Sequence, residues 1–416
     1  MTQATTTTYD PVLKQIYKPD LVEDLCYKLR PILGLMPKFE KFGGRNMPIP
    51  LMYANTQGRS HTFSEAQGNT TPSKFEDFLL TRVENHSIAQ MSSHVVAATI
   101  NERYAFVKAI KKEVDSAMNS LADSIETELP RSGTASLGQV ASTATVTNQT
   151  IALEDTRDIH NFEVGMTLRG TSTDGGAYDT GEEVLAAVNR TTGEITATSA
   201  AWNTVMSSLA ASDYLVVSGD GAAASTYKGI SGLIAWIPAT APSGGSDFFG
   251  VDRSTDSRLY GNYYDGSAQL VEEALIDGQS RVGENEGRPD VALIHNAQYR
   301  KLSKELGAKK EYSQTMAMGG KGMSARIGYR SIVVDGDYGP INVLAANKCQ
   351  SNIAWLLQRD TWLLASLGPV TRFDDTDGNR ILRQASASGV EARLVSWSNL
   401  GCKGPAYNGH TLLSAA

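Results

Sequence analysis

A turn-rich stretch without a buried-core pattern, residues 39–73, leads into a long amphipathic segment at residues 101–129. In the second segment apolar residues recur at intervals of three and four, which is the period of an α-helix. These residues are Val107, Ile110, Val114, Ala117, Met118, Leu121, Ile125 and Leu129. Asn101 is the predicted N-cap, and Pro130 prevents the helix from continuing. A helix of this length extends roughly 43 Å, which favours a spine over the alternative of an ordinary core helix.

The first quarter of the chain carries few buried-core signals. Proline breaks and adjacent glycines predict an extended arm over residues 1–55, apart from a short helix at residues 19–29. Residues 56–98 predict a long hairpin with its turn at Gln67–Pro72 and its returning strand at Phe78–Ala98. Such a ribbon is marginal by itself and needs a partner surface; the alternative is a disordered loop. Because a compact enzyme seldom begins in this way, the first hypothesis is a subunit that assembles with its neighbours.

Residues 141–222 differ in composition from the rest of the chain. They are rich in Thr, Ser, Ala and Gly, contain very few Lys, and predict a small, mostly antiparallel β module. The predicted strands are Phe162–Leu168, Val184–Asn189, Glu194–Thr198 and Tyr214–Ser218. Thr191-Thr192-Gly193 predicts the hairpin turn between the second and third of them.

From residue 223 onwards the pattern returns to helices and strands in mixture. The predicted helices are Ser267–Arg281, with Leu270, Ala274 and Leu275 on one side, and a helix capped by Asn296 that runs to about Leu306. The predicted strands are Val291–Ile294, Ser331–Val334, Ile341–Ala345, Ile353–Leu357 and Thr361–Ala365, the second and third joined as a hairpin. The glycines of Met316–Arg326 predict a mobile loop.

Length and charge narrow the class of protein. The chain has 416 residues, which favours two or three domains, and a net charge of −7. This charge argues against a general nucleic-acid-binding surface, although a protein can enclose DNA with one less acidic face. No apolar run is long enough to span a membrane, and Met1–Asp10 lack the apolar core of a signal peptide. Cys26, Cys349 and Cys402 form no CxxC pair and are expected to be reduced.

The motifs that carry chemistry are weak. The six histidines lack metal-ligand spacing, and neither a GxSxG elbow nor a reactive-cysteine signature is present. Gly319–Ser324 superficially resembles a phosphate loop without its spacing, which favours a flexible loop. Asp374–Asn379 resembles part of a calcium loop, but Gln384 stands where the bidentate Glu belongs, which favours an acidic turn. We therefore expect no catalytic residue, cofactor or metal site, and no enzyme.

The order of these elements resembles a major capsid protein of tailed bacteriophages, with the Hong Kong 97 fold. Phe162–Met166 and Asn189–Gly193 are similar in sequence to insertion domains of some phage capsid proteins. Gly232–Pro238 resembles the start of an axial domain. Trp362–Pro369 and Gly404–Gly409 are similar to the closing strands of a peripheral domain.

The resemblance implies an α+β fold of six parts. They are an N-terminal arm (1–55), an E-loop (56–98), a peripheral-domain part with the spine helix (99–140), a β-rich insertion domain (141–222), an axial domain with part of the peripheral domain (223–360) and C-terminal peripheral-domain strands (361–416).

The resemblance also implies a function. Hexamers and pentamers of the chain close an icosahedral shell around double-stranded DNA, which they enclose without sequence specificity, and the E-loop lies over a neighbouring subunit. The candidates for charged inter-subunit contacts are Arg45, Arg59, Glu65, Lys74, Glu76 and Asp77. The implied partners are further copies of the chain, a separate scaffolding protein, a portal and a decoration protein, with no membrane. The implied location is the virion, after assembly in the host cytoplasm.

Other interpretations stay open at the level of sequence. An encapsulin-like cellular nanocompartment has the same fold and houses an enzyme rather than DNA. A secreted adhesin explains the β module but lacks a signal peptide, and an unrecognised hydrolase has no supporting site. Some relatives crosslink an E-loop lysine to an asparagine of a neighbour; here Lys74 with Asn399 or Asn408 is the candidate pair, against a plain surface lysine.

Overall fold

The structure is a computed structural model that describes residues 29–95, 109–220, 229–245, 247–307, 332–375, 378–384 and 387–415. Within these ranges the α-helices are α1 (Pro31–Leu35), α2 (Phe63–Gly68), α3 (Ala109–Glu128), α4 (Trp202–Val205), α5 (Leu233–Trp236), α6 (Val271–Gly283) and α7 (Asn296–Gly307). Short 3-10 helices occupy Thr156–Asn161, Arg253–Thr255, Ser257–Leu259, Arg359–Thr361 and Pro405–Tyr407. The predicted helix at residues 19–29 and the predicted loop Met316–Arg326 lie outside the described residues.

The described strands, together with these helices, confirm the α+β class. They are β1 (Lys38–Phe39), β2 (Met47–Ala54), β3 (Lys74–Leu80), β4 (Val83–Ser92), β5 (Ser136–Gln139), β6 (Thr150–Ala152), β7 (Thr167–Thr171), β8 (Glu183–Asn189), β9 (Glu194–Ala197), β10 (Tyr214–Val217), β11 (Asp247–Phe248), β12 (Val251–Asp252), β13 (Asn262–Gly266), β14 (Val291–Ile294), β15 (Ile332–Gly336), β16 (Gly339–Ala345), β17 (Ile353–Leu357), β18 (Trp362–Ser366), β19 (Arg372–Phe373), β20 (Leu382–Arg383), β21 (Gly389–Cys402) and β22 (Gly409–Leu413).

The chain divides into two compact units. The smaller contains the described residues within 1–29, 86–121 and 371–395, and the larger contains those within 30–85, 122–370 and 396–416. In the smaller unit, β19 and β20 pair antiparallel with the first half of β21. In the larger unit, the second half of β21 pairs antiparallel with β18, and β1 adds to β18 in parallel.

The long helix is confirmed over its described part, α3. Its apolar stripe is buried at Ala117, Leu121 and Ile125, as the helical period predicts. The helix ends at Glu128, two residues before Pro130. The predicted cap, Asn101, lies outside the described residues.

The β module is a closed, six-stranded antiparallel barrel with the strand order β5-β10-β7-β8-β9-β6. A bridge between Val140 and Leu153 joins the two end strands, with the Ala141 N–H donating to the Ala152 carbonyl at 3.0 Å. Closure removes the open strand edges that a six-stranded sheet otherwise presents. The barrel encloses its own core, which includes Ile159, Phe162, Leu168, Ile195, Trp202 and Leu215.

Three details of the module differ from the sequence-based expectation. Most of the predicted strand Phe162–Leu168 is a loop, and the strand in this region is β7, because Phe162 turns inward to fill the barrel instead of alternating on its wall. Strands β5 and β6 were not predicted, and β5 lies before the expected start at residue 141. The hairpin turn at Thr191–Gly193 is confirmed.

The remaining large sheet is mixed and has the order β13-β22-β17-β14-β16-β15. Helix α6 contributes Ala274 and Leu275 to the core over this sheet. The predicted strands at residues 291–294 and 353–357 and the predicted hairpin now seen as β15 and β16 are confirmed.

The two predicted helices on this sheet need small corrections. Helix α6 begins at Val271, and Leu270 is 44% exposed instead of facing the core. Helix α7 begins at Asn296, and its cap is the preceding His295, whose Nδ1 accepts the Ala297 N–H at 3.1 Å. Histidine was missed as a cap because Ser, Thr, Asp and Asn dominate that position.

The predicted hairpin has different strands. β2 pairs antiparallel with β3, and α2 lies between them, so the hairpin comprises residues 47–80. Beyond it, the expected returning strand is interrupted after Leu80, and β4 pairs with β21 instead. Pro48 and Pro50 predict breaks in an extended arm, whereas residues 47–54 form strand β2. A strand with one partner accepts proline, since its outer N–H groups need no ladder bond.

Candidate assembly interface

The hairpin of residues 47–80 has a buried base and an exposed remainder. Ile49, Phe78 and Leu80 are buried, whereas none of residues 50–77 is. A two-stranded ribbon without buried residues is unstable by itself in water, so this segment is suited to packing on another surface.

An aromatic cluster fixes the base of the hairpin. Phe78 meets Trp236 edge to face with ring centroids 5.0 Å apart, and Trp236 meets Phe248 at 4.9 Å. The Leu79 N–H donates to the carbonyl of Phe249 at 2.9 Å, and that residue adopts φ +52° in the turn between β11 and β12. The β11–β12 turn therefore adds a backbone hydrogen bond to β3 and fixes the base of the hairpin to the rest of the larger unit.

Large apolar side chains are exposed along the rest of the hairpin. Met52 and Phe75 lie opposite each other in the β2–β3 register and are 55% and 63% exposed, and Phe63 on α2 is 83% exposed. Interface centres are rich in aromatic residues and Met, with charges at the rim. Charge patterns alone do not point to these residues; the signal in the sequence is the presence of two phenylalanines in a polar, turn-rich stretch.

The six charged candidates lie on or next to this hairpin. Arg45 precedes β2, Arg59 and Glu65 lie at the far end, and Lys74, Glu76 and Asp77 lie on β3. Five are exposed and Glu76 is half-buried. In the β2–β3 register the three on β3 face Ala54, Leu51 and Pro50, none of them charged. The structure thus brings the candidates to one segment without pairing them to each other.

Asp123, Glu126 and Glu128 at the C-terminal end of α3, together with Arg131 just beyond the helix, form a polar cluster that we call the polar hub. Glu126 accepts the N–H groups of Ile32 and Leu33 at 3.0 and 2.7 Å, which holds the first turn of α1. Burial raises the pKa of Glu126 against the effect of these two bonds. The hub thereby fastens the segment that precedes the hairpin to the long helix.

Glu128 fastens two further segments. Its Oε2 accepts the Ile230 N–H at 2.8 Å, and its Oε1 accepts from Asn85 at 3.1 Å and from Ser124 at 3.2 Å. Burial raises the pKa of Glu128 to about 7. Asn85 lies on β4, directly after the hairpin, so the hub also fixes the chain where it leaves the hairpin.

Lys348 and Arg131 attach the barrel to the same helix end, Lys348 by linking Asp123 to a barrel carbonyl and Arg131 by an ion pair with a barrel carboxylate. Lys348 donates to the Asp123 carboxylate at 2.8 Å and to the His160 carbonyl at 2.7 Å. Arg131 donates to the Asp158 carboxylate at 2.9 Å. Both cations are largely buried, so removing either partner leaves an uncompensated charge.

The two asparagines considered for a crosslink are structural. Asn399 is buried and donates to the Thr81 carbonyl at 2.8 Å. Asn408 is fully buried and accepts from Trp362 Nε1 at 2.7 Å. Lys74 is exposed, which agrees with a plain surface lysine. Neither amide is accessible to a neighbour's lysine in this structure.

Other kinds of site find little support in the described part of the chain. Its residues contain no group of three His, Cys, Asp or Glu side chains able to hold a metal ion. No described helix is long and apolar enough to cross a membrane. Cys349 and Cys402 are free and buried, and burial raises the pKa of both thiols. The glycine-rich segment 319–324 lies outside the described residues.

Comparisons with solved structures identify the fold. The chain is similar to a chain of the cyanophage A-1(L) capsid asymmetric unit, with 12% identity, a TM-score of 0.57 and 99% of each chain covered. It is similar to the capsid of a native GTA particle, with 8% identity, a TM-score of 0.51 and 100% of each chain covered. A structure of Microbacterium phage Oxtober96 matches with 9% identity, a TM-score of 0.50 and 99% of each chain covered. The fold is thus the Hong Kong 97 capsid fold.

A family model gives the membership. The model of the SU10 major capsid protein matches residues 93–379. A search of curated proteins finds no match. Because the family match spans well over half of the chain, the protein belongs to the SU10 major capsid protein family. It is a major capsid protein of the tailed-phage type, a structural component of an icosahedral shell.

Proposed function

We propose that hexamers and pentamers of this chain close the shell around double-stranded DNA, with residues 47–80 acting as the E-loop over a neighbouring copy. The observation that supports this most is the hairpin itself, which has an anchored base and no buried residue from 50 to 77. Each contact is modest, but symmetry repeats it many times around the shell, so the contacts sum to a stable assembly.

The remaining parts have roles consistent with this arrangement. In this proposal the arm ends at residue 46, where the hairpin begins, instead of at residue 55. Residues 99–140 form the part with the spine helix, 141–222 the insertion domain, 223–360 the axial domain and 361–416 the closing strands. Met52, Phe63 and Phe75 form the centre of the E-loop contact, and the six charged residues form its rim. The protein has no catalytic role. The similarity to phage and GTA capsids favours this viral shell over an encapsulin-like nanocompartment.

The proposed partners follow from the same function. A separate scaffolding protein directs curvature, a portal occupies one vertex, and a decoration protein binds the outside of the shell. The DNA is enclosed without sequence specificity, which is compatible with a net charge of −7. Assembly takes place in the host cytoplasm, and the product is the virion shell.

Electron microscopy of the purified protein tests this proposal. The chain is expressed alone and together with a candidate scaffolding protein. Uniform closed shells, capsomer rings or tubes are the expected result. A monodisperse monomer or dimer under both conditions would contradict it.

A further inference from the structure

A cavity of about 470 Å³ opens on the larger unit. It is lined by Leu35, Pro37, Arg288, Asp290, Gln358, Arg359 and Asp360. These residues come from the end of α1, the segment before β14 and the 3-10 helix before β18. The cavity has the volume of a small ligand site, but it is open and lined by charges of both signs.

Hydrogen bonds hold the frame of this cavity. Asp290 accepts the backbone N–H of Arg359 at 2.9 Å and its Nε at 2.8 Å. Gln358 accepts the backbone N–H of Arg288 at 3.0 Å, and its own N–H donates to Asn408 at 2.9 Å. Two segments of the wall are therefore fixed to each other before any partner arrives.

Two charged side chains at the cavity are free to bind a partner molecule. The Arg288 guanidinium and the Asp360 carboxylate are exposed, and neither has an ion-pair partner among the described residues. Leu35 and Pro37 supply an apolar wall beside them. The cavity thus offers one cation, one anion and an apolar surface on a fixed frame.

The far end of the hairpin carries side chains that complement the cavity: one anion, one cation and one apolar ring. Arg59, Phe63 and Glu65 are all exposed there, and within the described parts of the chain the two charged side chains form no ion pair. No hairpin residue lines the cavity of its own chain.

We propose that this cavity is the socket for the hairpin end of a second copy of the chain. Glu65 pairs with Arg288, Arg59 pairs with Asp360, and Phe63 packs on Leu35 and Pro37. This inference rests on the proposed function, because it names the surface that the E-loop contacts. An exposed ion pair adds little affinity alone, so the charges chiefly set the register while the apolar contact and the repetition by symmetry stabilise the shell.

Charge reversal tests the pairing. The variants Glu65→Arg and Arg288→Glu each place like charges together, and the double variant restores the pair in the opposite sense. We expect each single variant to raise the protein concentration needed for assembly at least about tenfold and the double variant to return it to near the parent value. Light scattering during assembly measures the protein concentration at which assembly begins, and electron microscopy shows whether the products are closed shells, rings or tubes. Glu273→Arg, an exposed reversal on α6, is the matched control.

The outcomes separate this inference from the proposed function. If the parent protein forms shells and both single variants do so at the same concentration, the socket is wrong while the function stands. If both single variants fail and the double variant fails equally, the Glu65–Arg288 pairing is wrong. If the parent itself never assembles, the proposed function fails and the socket fails with it.

A covalent trap gives a second, independent measurement. The double variant Glu65→Cys and Arg288→Cys is assembled and then oxidised with oxidised glutathione, which forms a disulfide between copies and is reduced in turn. A ladder of linked copies on a non-reducing gel is expected, and neither single cysteine variant should give it. Absence of the ladder in assembled shells of the double variant overturns the socket.

Discussion

Glu128 is almost fully buried, yet it accepts hydrogen bonds from Ser124 on its own helix and from two other segments of the chain. The hydrogen-bond donors stabilise the ionised carboxylate, whereas burial stabilises the neutral acid. Burial has the larger effect, since the pKa of Glu128 is raised to about 7. Near neutral pH the side chain thus changes charge at the point where the long helix holds the chain after the hairpin. Stability is therefore expected to depend on pH at this residue.

The pH dependence has a definite sign. Between about pH 4.5 and pH 7 the folded state keeps the Glu128 proton and the unfolded state loses it, so the free energy of unfolding falls as pH rises. The full contribution is at most about 3–4 kcal/mol, because the pKa rises from 4.5 to about 7 and each pKa unit is worth roughly 1.4 kcal/mol. Glu128→Gln keeps an acceptor and removes the charge. We expect its Tm to vary less between pH 5 and pH 8 than that of the parent.

Glu65→Gln is the control for this variant, because Glu65 is exposed on the hairpin. It should leave the pH profile of Tm unchanged. Glu126 contributes in the same direction as Glu128, so some slope remains in both variants. An unchanged slope in Glu128→Gln means that this carboxyl is not the group that titrates.

At the scale of elements, the barrel depends on a close backbone approach in one turn. Gly193 has φ +74°, and a Cβ there would lie 2.6 Å from the Cβ of Thr156. Gly165 has a similar φ of +90° but open space around it. The two glycines therefore separate the cost of the left-handed conformation from the cost of a clash.

Alanine substitution at these glycines measures both costs. Gly165→Ala carries only the conformational strain, about 1 kcal/mol. Gly193→Ala carries the same strain and also displaces Thr156, which typically adds about 1–3 kcal/mol. We expect the thermal transition of the barrel to fall further for Gly193→Ala. Equal shifts for the two variants would show that the turn relaxes without cost.

The hairpin should matter for assembly and little for the stability of the free subunit. Phe75 is 63% exposed, so Phe75→Ser removes almost no packing within the chain. In the shell, burial of a Phe side chain is worth about 1.5–3 kcal/mol per copy. We expect the same Tm for the unassembled protein but few or no shells by electron microscopy.

Val164→Ser serves as the matched control for the hairpin variant. Val164 is 61% exposed on the barrel, so the change removes a comparable exposed apolar side chain elsewhere. Shell formation should persist in this control. If Phe75→Ser assembles as well as the control, the apolar side of the hairpin is not at the centre of the contact.

At the scale of the whole molecule, the larger unit contains at least two separate hydrophobic cores. One lies inside the barrel and one lies against the mixed sheet, and few polar contacts at the end of α3 join the barrel to the rest. Chains built in this way rarely unfold in a single step. Calorimetry is expected to show more than one transition.

One substitution in each core assigns these transitions. Ile151 and Leu356 are buried in the barrel and under the mixed sheet, respectively. Truncation of either to alanine removes about 2–5 kcal/mol from its own core. We expect Ile151→Ala to lower one transition and Leu356→Ala to lower another. A single transition that both variants lower equally would show that the cores unfold together.

Patterns with a local cause could be read directly from the sequence. The period of α3 and the buried strands β14 and β17 follow from side-chain spacing, and the turn at Gly193 follows from turn chemistry. The order of these elements sufficed to indicate the Hong Kong 97 fold and a capsid function. The fold and the function could be inferred because the order of helices and strands along the chain follows from local sequence patterns.

Contacts between distant residues were decided by the tertiary structure. The closure of the barrel joins Val140 to Leu153, and the proline-containing β2 becomes a strand only because β3 lies beside it. The polar hub likewise gathers Ile32, Asn85 and Ile230 on one helix end. The sequence predicted that the hairpin needs a partner surface, because a two-stranded ribbon is marginal by itself. The exposure of its apolar residues, in contrast, depends on what the fold leaves uncovered. Spacing along a chain carries no information on such pairings, since they arise only when the chain is packed.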